Sequence, residues 1–291
     1  MKKIIFLGCE NSHSSQFLGF IKDNPKYADL QVLGVYSHDE QASEKLKEKF
    51  GVPVLSSYSD FAGEVDGVII TARDGVNHLK YAVPHMHKNV TMFVDKPITV
   101  SQEDAVELVK LSQQNGVKLC GGSSLRLDKD FMQLSNDSVN CVEGKTVGGY
   151  VRCPLLSKNV NSGFFFYAQH LVEVVMNIFG MNPLSVLANR MGSNVYVTFF
   201  YGEFQVAAHY TDDNHSVYYA MRMAENGLQS KRIVLTESNC FADEFDEFYQ
   251  ILNGKQQPCD VKQFITPVYV MNAINRSLTS GKKEIVDTVI I

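Results

Sequence analysis

The sequence has no Cys-x-x-Cys pair, no paired histidine spacing and no block rich in lysine and arginine, and no apolar run approaches the length of a membrane span. Each absence removes a class of function. The six cysteines, Cys9, Cys120, Cys141, Cys153, Cys240 and Cys259, are scattered along the chain, so neither a zinc site nor a redox pair is signalled and no metal is expected. Several stand in apolar strand contexts, where a buried free thiol is the simpler reading. A formal charge of -5 argues against a nucleic-acid surface. A membrane span needs about 20 apolar residues. The amino terminus, Met1-Lys-Lys-Ile-Ile-Phe-Leu-Gly8, mimics the start of a signal peptide, but its apolar run breaks into Glu10-Asn-Ser-His-Ser before it is long enough. These absences predict a cytoplasmic protein with a small-molecule partner, no nucleic acid and no membrane.

A hydrophobic content of 45% and a charged content of 20% are those of a globular chain. At 291 residues it is long enough for two domains, each with its own core. No internal repeat and no low-complexity segment interrupts it. The organising stretch is Asn89-Val-Thr-Met-Phe-Val-Asp-Lys-Pro-Ile-Thr99. Val90 to Val94 reads as a buried strand, which Pro97 stops by removing a ladder donor and pushing Lys96 toward an extended backbone. Asp95 and Lys96 then stand at the carboxyl end of a strand, the edge where open parallel sheets bind ligands. Before it lies Asp66-Gly-Val-Ile-Ile-Thr-Ala-Arg-Asp-Gly-Val-Asn-His78, a strand, a polar turn and a helix. After it, Ser101 to Asn115 opens on Ser-x-x-Asp and closes on Gly116, a capped helix, and Val117 to Cys120 is another buried strand.

The order of these elements and the triplet Asp95-Lys96-Pro97 resemble the glucose-fructose oxidoreductase, inositol dehydrogenase and rhizopine-catabolism (Gfo/Idh/MocA) family, whose hallmark here is Glu-Lys-Pro. The resemblance covers most of the chain. It implies an α/β protein: a Rossmann-type doubly wound parallel sheet over residues 1-122, binding a dinucleotide, and an α+β domain with a mostly antiparallel open sheet over 123-291, binding substrate and forming oligomers. Gly121-Gly122-Ser-Ser marks the boundary. A homodimer or higher homo-oligomer is expected by the same analogy.

The first turn departs from the dinucleotide pattern. Gly-x-Gly-x-x-Gly is replaced by Gly8-Cys-Glu10-Asn-Ser-His13, and only the first glycine survives. Asn11, Ser12 and Ser14 still offer donors at a helix amino terminus. Glu10 either brings a negative charge to the phosphate position or points away to solvent. The second strand, Leu30 to Tyr36, ends in Ser37-His38, where the family often carries an acidic residue for the adenosine ribose. A Ser-His pair does not repel a 2′-phosphate, so NADP is slightly favoured over NAD; the other reading is a surface loop without cofactor contact. In the loop after Thr71, Arg73 either meets a phosphate or substrate carboxylate or pairs with Asp74 in solvent. The cofactor-binding set is Gly8, Asn11, Ser12, His13, Ser37, His38, Ala72, Arg73, Asp95 and Lys96.

In the second domain Arg126 to Leu134 is predicted as a linking helix and Thr146 to Arg152 as its first strand. Gly163 to Gly180 reads as a helix with Tyr167, His170, Val174 and Asn177 on one face and Leu171, Val175 and Ile178 on the packing face. It resembles the family's catalytic helix, Asp-x-Gly-x-His-x-x-Asp. His170 matches the histidine and Glu173 the last acid, whereas Phe166 and Ala168 replace the first Asp and the Gly. Strand-like runs follow at 184-188, 195-201, 204-210, 217-223 and 231-235, with Asn226-Gly227 as a hairpin signal. Helices over 241-252 and 264-278 and a closing strand over 284-290 complete the chain.

Two functions compete. One is an NAD(P)-dependent oxidoreductase acting on the hydroxyl of a polyol, sugar or related compound, with His170 as acid/base, Lys96 orienting the hydroxyl and polarising the carbonyl, and Tyr167 standing in for the missing Asp. The other is a non-catalytic ligand-binding or regulatory protein on the same scaffold, favoured by Glu10 and Phe166.

Overall fold

The computed structural model describes residues 1-155, 163-213, 216-257 and 260-291; Cys259 lies outside them. In chain order the elements are β1 (Lys2–Leu7), α1 (Ser12–Asp23), β2 (Leu30–Tyr36), α2 (Glu40–Phe50), β3 (Gly67–Ile70), α3 (His78–Ala82), β4 (Thr91–Asp95), α4 (Gln102–Asn115) and β5 (Lys118–Gly122). Then come α5 (Lys129–Val139), β6 (Thr146–Pro154), α6 (Phe165–Phe179), β7 (Ser185–Met191), β8 (Asn194–Phe200), β9 (Gln205–Thr211), β10 (Val217–Ala224), β11 (Gly227–Val234), α7 (Cys240–Leu252), α8 (Val261–Ser280) and β12 (Glu284–Ile285). They form two compact units, Met1–Gly122 with Phe241–Phe264 and Ile291, and Ser123–Cys240 with Ile265–Ile290.

The first unit is an all-parallel sheet in the order β2-β1-β3-β4-β5. β3 and β4 are buried at every residue, as central strands covered on both faces must be, which is why they read as unbroken apolar runs. The helices between them stop where their sequence says. Ser101 Oγ accepts from the Asp104 amide and Gly116 closes α4 in the left-handed conformation. Phe245, Phe248, Ile251 and Leu252 of α7 join Ile4, Phe6, Phe17, Ile69 and Phe93 in one core. Their helical spacing was legible; that their apolar face completes this unit's core, from a position more than a hundred residues downstream, is a tertiary fact.

The second unit is built on a sheet of order β11-β10-β6-β9-β8-β7-β12, antiparallel except for the β6–β9 pair. Alternating burial along β8 and β10 gives it one packed face and one open face. α6 is buried at all positions except Tyr167 and Asn177, so it is an interior helix rather than an amphipathic surface one.

Three local expectations shift. The linking helix is broken into a turn at Ser124–Leu127 and α5, because Asp128 caps a new start by accepting from the Asp130 amide at 2.9 Å. The β10–β11 hairpin turns at Glu225-Asn226, with Ala224 paired to Gly227; the Glu225 and Asn226 amides are held by the carbonyls of Lys145 and Glu143. The closing strand shrinks to Glu284–Ile285, paired with Val186 and Ser185, because the partner chain beyond Leu184 is Pro183, which has no N–H to give.

Candidate active site

In the first unit the strand order changes direction between β1 and β3, the crevice where open α/β sheets take nucleotides. The loops after these strands touch. Gly8 has φ +78, and a Cβ on it would fall 2.4 Å from the Ala72 backbone, so glycine is required there both for conformation and for closeness. Thr71 Oγ1 donates to the Gly8 carbonyl at 2.9 Å and shares a 2.6 Å hydrogen bond with Ser14 Oγ. Ala72 is fully buried, and its carbonyl lies 2.9 Å from Nε2 of His78, whose Nδ1 lies 3.1 Å from the Ile98 carbonyl. Burial pushes the His78 imidazole below its usual range, against the pull of those carbonyls and of Asp95.

Glu10 points neither at a phosphate position nor into solvent. Its Oε2 accepts from Ser37 Oγ at 2.6 Å and its Oε1 from the Arg73 amide at 3.0 Å, while Arg73 Nη2 donates to the Glu10 carbonyl at 2.7 Å. His38, 53% exposed, has Nδ1 3.9 Å from Glu10 Oε1. The Ser37 loop is therefore not a bare surface turn, and Arg73 has a role in joining β1's loop to β3's.

Asn11 caps α1 by accepting from the Ser12 amide at 2.7 Å, and its Nδ2 donates to Asp95 Oδ2 at 2.8 Å. His13, at the third glycine's place, is buried with Nδ1 2.9 Å from Asp95 Oδ2 and Nε2 3.5 Å from Glu244 Oε2. Asp95 Oδ1 accepts from the Lys96 amide at 2.7 Å. Burial works against the Asp95 charge, but His13 and then Lys96 outweigh it and hold the carboxyl near a pKa of about 2. Lys96 is 3% exposed. Burial pushes its ammonium down, Asp95 and Glu244 pull it up, and Arg73 pushes it down. Asp95 thus spends its oxygens on Asn11, His13 and Lys96, all within the protein.

The second unit holds the other predicted residues. His170 is buried on α6 with Nδ1 2.7 Å from Ser123 Oγ, and Glu173, one turn on, accepts from the Ser123 amide at 3.0 Å and from the Gln169 side chain. Tyr167 meets His170 ring edge to face at 5.1 Å, and Tyr218 of β10 does so at 6.1 Å. Phe166 is buried, filling with a ring the place where a carboxylate was expected.

Residues 2–123 match the model of the GFO_IDH_MocA oxidoreductase family, which has an NAD-binding Rossmann fold. The amino-terminal domain belongs to that family. No curated protein matches the chain in sequence. Among solved structures, a putative myo-inositol dehydrogenase from Sinorhizobium meliloti is similar at 16% identity and a TM-score of 0.81, covering 99% of this chain and 100% of its own. GenD2 from gentamicin A biosynthesis, in complex with NAD, is similar at 13% identity and 0.83, over 98% and 96%. The WlbA dehydrogenase from Chromobacterium violaceum, in complex with NADH and UDP-GlcNAcA, is similar at 14% identity and 0.77, over 99% and 97%. At these identities the likeness is one of fold.

The family domain's dinucleotide crevice still fits such a ligand. The first turn of α1 carries no acidic side chain, and among the described residues the His13 and Ser14 amides have no hydrogen-bond acceptor, which leaves anion-binding donors at a helix amino terminus. Glu10 is engaged with Ser37 and Arg73, not with those amides. Ser123, Glu244 and Tyr218 were missed from the sequence. Ser123 follows a Gly-Gly pair that reads only as a boundary, and Glu244 sits on α7, far away in the chain. No helix among the described residues is long and apolar enough to cross a membrane.

Proposed function

We propose that the chain is a nicotinamide-dependent oxidoreductase that exchanges a hydride with the hydroxyl-bearing carbon of a polyol, sugar or related hydroxy compound. The observation that carries this reading is Lys96, a buried lysine at the carboxyl edge of a parallel sheet, inside a domain of an NAD-binding oxidoreductase family. A buried, perturbed ammonium beside two carboxylates is costly to keep without a use, and such groups concentrate at active sites. The dehydrogenases of similar fold support the reaction class by analogy.

When bound, the nicotinamide would supply the hydride acceptor, or the donor in the reverse direction. The α1 amino terminus with Gly8, Asn11, Ser12 and His13, the Ser37-His38 end of β2, Ala72 and Arg73 would hold the dinucleotide, and the second unit would take the substrate. Lys96 donates to the reacting oxygen, orienting it as a hydroxyl and stabilising it as a carbonyl. Asp95 positions Asn11 and the Lys96 backbone. His170 takes the hydroxyl proton on oxidation and returns it on reduction; with Nδ1 facing Ser123, the transfer runs through Nε2. Tyr167 packs on the imidazole and limits its rotation. The working form is proposed to be a cytoplasmic homodimer or higher homo-oligomer, which light scattering tests.

The test is a titration of the folded protein with reduced nicotinamide dinucleotides followed by a polyol and sugar screen. Saturable binding and turnover are expected, and Lys96→Met should abolish turnover, by about a thousandfold or more, with the thermal transition retained. Unaltered turnover in that variant would remove the mechanism; no dinucleotide binding by the folded protein would overturn the oxidoreductase reading.

A further inference from the structure

The usual ribose-reading acid of a dinucleotide fold stands at the end of the second strand, where it hydrogen-bonds the adenosine 2′-hydroxyl and repels a 2′-phosphate. Here that position is Ser37, a residue with no charge. We propose that Glu10 of the first loop supplies the missing carboxylate, so that the site selects NAD over NADP. The inference rests on the dinucleotide reading above and adds to it which residue sets the choice.

Three observations converge on Glu10. Its Oε2 lies 2.6 Å from Ser37 Oγ, so the charge stands beside the position where the β2 acid is absent. Ser37 Oγ also accepts from the Asp39 amide at 3.1 Å, which turns its hydroxyl hydrogen toward Glu10 and fixes the pair. The Arg73 amide holds the other oxygen at 3.0 Å. A carboxylate has about four acceptor positions; these two donors take one on each oxygen and leave one on each, the arrangement that suits the vicinal hydroxyls of a ribose. The side chain is 7% exposed, so a second negative charge brought next to it is poorly screened.

The cationic groups near Glu10 do not reverse this. The Arg73 guanidinium donates through Nη2 to the Glu10 carbonyl at 2.7 Å, on the side of the β3 loop. His38 lies 3.9 Å from Glu10 Oε1 and 3.5 Å from the Tyr81 hydroxyl, both through Nδ1, so that ring nitrogen faces the carboxylate itself. The same geometry explains why a glutamate is tolerated where the dinucleotide motif has a glycine: the side chain leaves the pyrophosphate path and runs to the β2 end.

The experiment is a pair of titrations, NADH and NADPH, followed by reduced-nicotinamide fluorescence in the wild-type protein and in Glu10→Gln. NADH should bind more tightly than NADPH by about tenfold or more, since the two differ only by the phosphate that meets the carboxylate. Glu10→Gln keeps the shape and an acceptor for Ser37 but removes the charge, and should close that gap mainly by strengthening NADPH. Ser37→Ala, which leaves the charge in place, should keep the preference for NADH and holds the proposal open to refutation if Glu10→Gln fails to fold. NADPH binding as tightly as NADH to the wild type, or an unchanged ratio in folded Glu10→Gln, would overturn the assignment while leaving the oxidoreductase reading intact. Binding of neither would overturn both.

Discussion

The two candidate regions depart from the expected motifs in opposite ways. In the first unit glycines are replaced by ionisable residues, and each replacement has drawn partners around it: Glu10 has Ser37 and Arg73, and His13 has Asp95 and Glu244. In the second unit a carboxylate is replaced by the ring of Phe166, buried without need of a charge partner, and the contact to the histidine comes instead from Ser123, outside the helix. The difference follows from desolvation. A charge placed in a crevice must recruit donors or opposite charges to stay there, whereas an apolar ring only has to fit. Departures of the first kind therefore form networks, and those of the second kind need none.

The network side of the comparison is broken most severely at its one surviving glycine. Gly8→Ala places a methyl 2.4 Å from Ala72 in a positive-φ conformation, and should destabilise the first unit by about 3 kcal/mol through overlap and backbone strain together. Gly51 has φ +71 but nothing within reach of a Cβ, so Gly51→Ala isolates the strain alone, about 1 kcal/mol. Urea unfolding of the two variants measures the difference. Equal losses would mean that the β1 and β3 loops do not need their close approach.

Asp95 sharpens the same comparison through pH. Its carboxyl is held at about 2 against an ordinary 3.8, so the folded state binds its proton less readily than the unfolded one. The resulting stability is present above about pH 4 and is lost as pH falls from there toward 2, an effect on the order of 2 kcal/mol. Asp95→Asn should remove it at neutral pH and flatten the acid limb of the stability curve. An acid limb identical to the wild type's would show that the His13 and Lys96 contacts contribute nothing to folding.

How much of this was legible differs between the units for physical reasons. β3 and β4 declare themselves because strands buried on both faces must be apolar throughout, and α4 because its Ser101 cap and Gly116 stop are local chemistry. The place of Lys96, between such a strand and a proline, was legible in the same way, and the residue is buried there. The direction of Glu10 was not legible, since it depends on Ser37 and Arg73, brought together only when β1, β2 and β3 pair. Glu244 was invisible for the same reason, one level further out: α7 has the right periodicity, but nothing local says which core it completes. Ser123 was hidden by its setting after Gly121-Gly122, where a serine reads as a turn residue.

Ser123 is where the second region can be tested with the smallest change. Its hydroxyl lies 2.7 Å from His170 Nδ1 and accepts from the Leu125 amide at 3.3 Å, while its own amide holds Glu173. Ser123→Ala removes the hydroxyl but keeps the amide, so the Glu173 contact and the fold should persist. A hydroxyl can donate to or accept from Nδ1, and so can serve both tautomers of the imidazole, which a carboxylate, being an acceptor only, cannot. If Ser123 has inherited the duty of the lost acid, Ser123→Ala should lower kcat about tenfold, close to 1.4 kcal/mol, with little change in KM for the dinucleotide. Ser123→Thr, which restores the hydroxyl, should recover most of the rate. A merely structural serine would instead show a lowered thermal transition with kcat unchanged, and would leave Tyr167, packed at 5.1 Å on the same ring, as the group that orients His170.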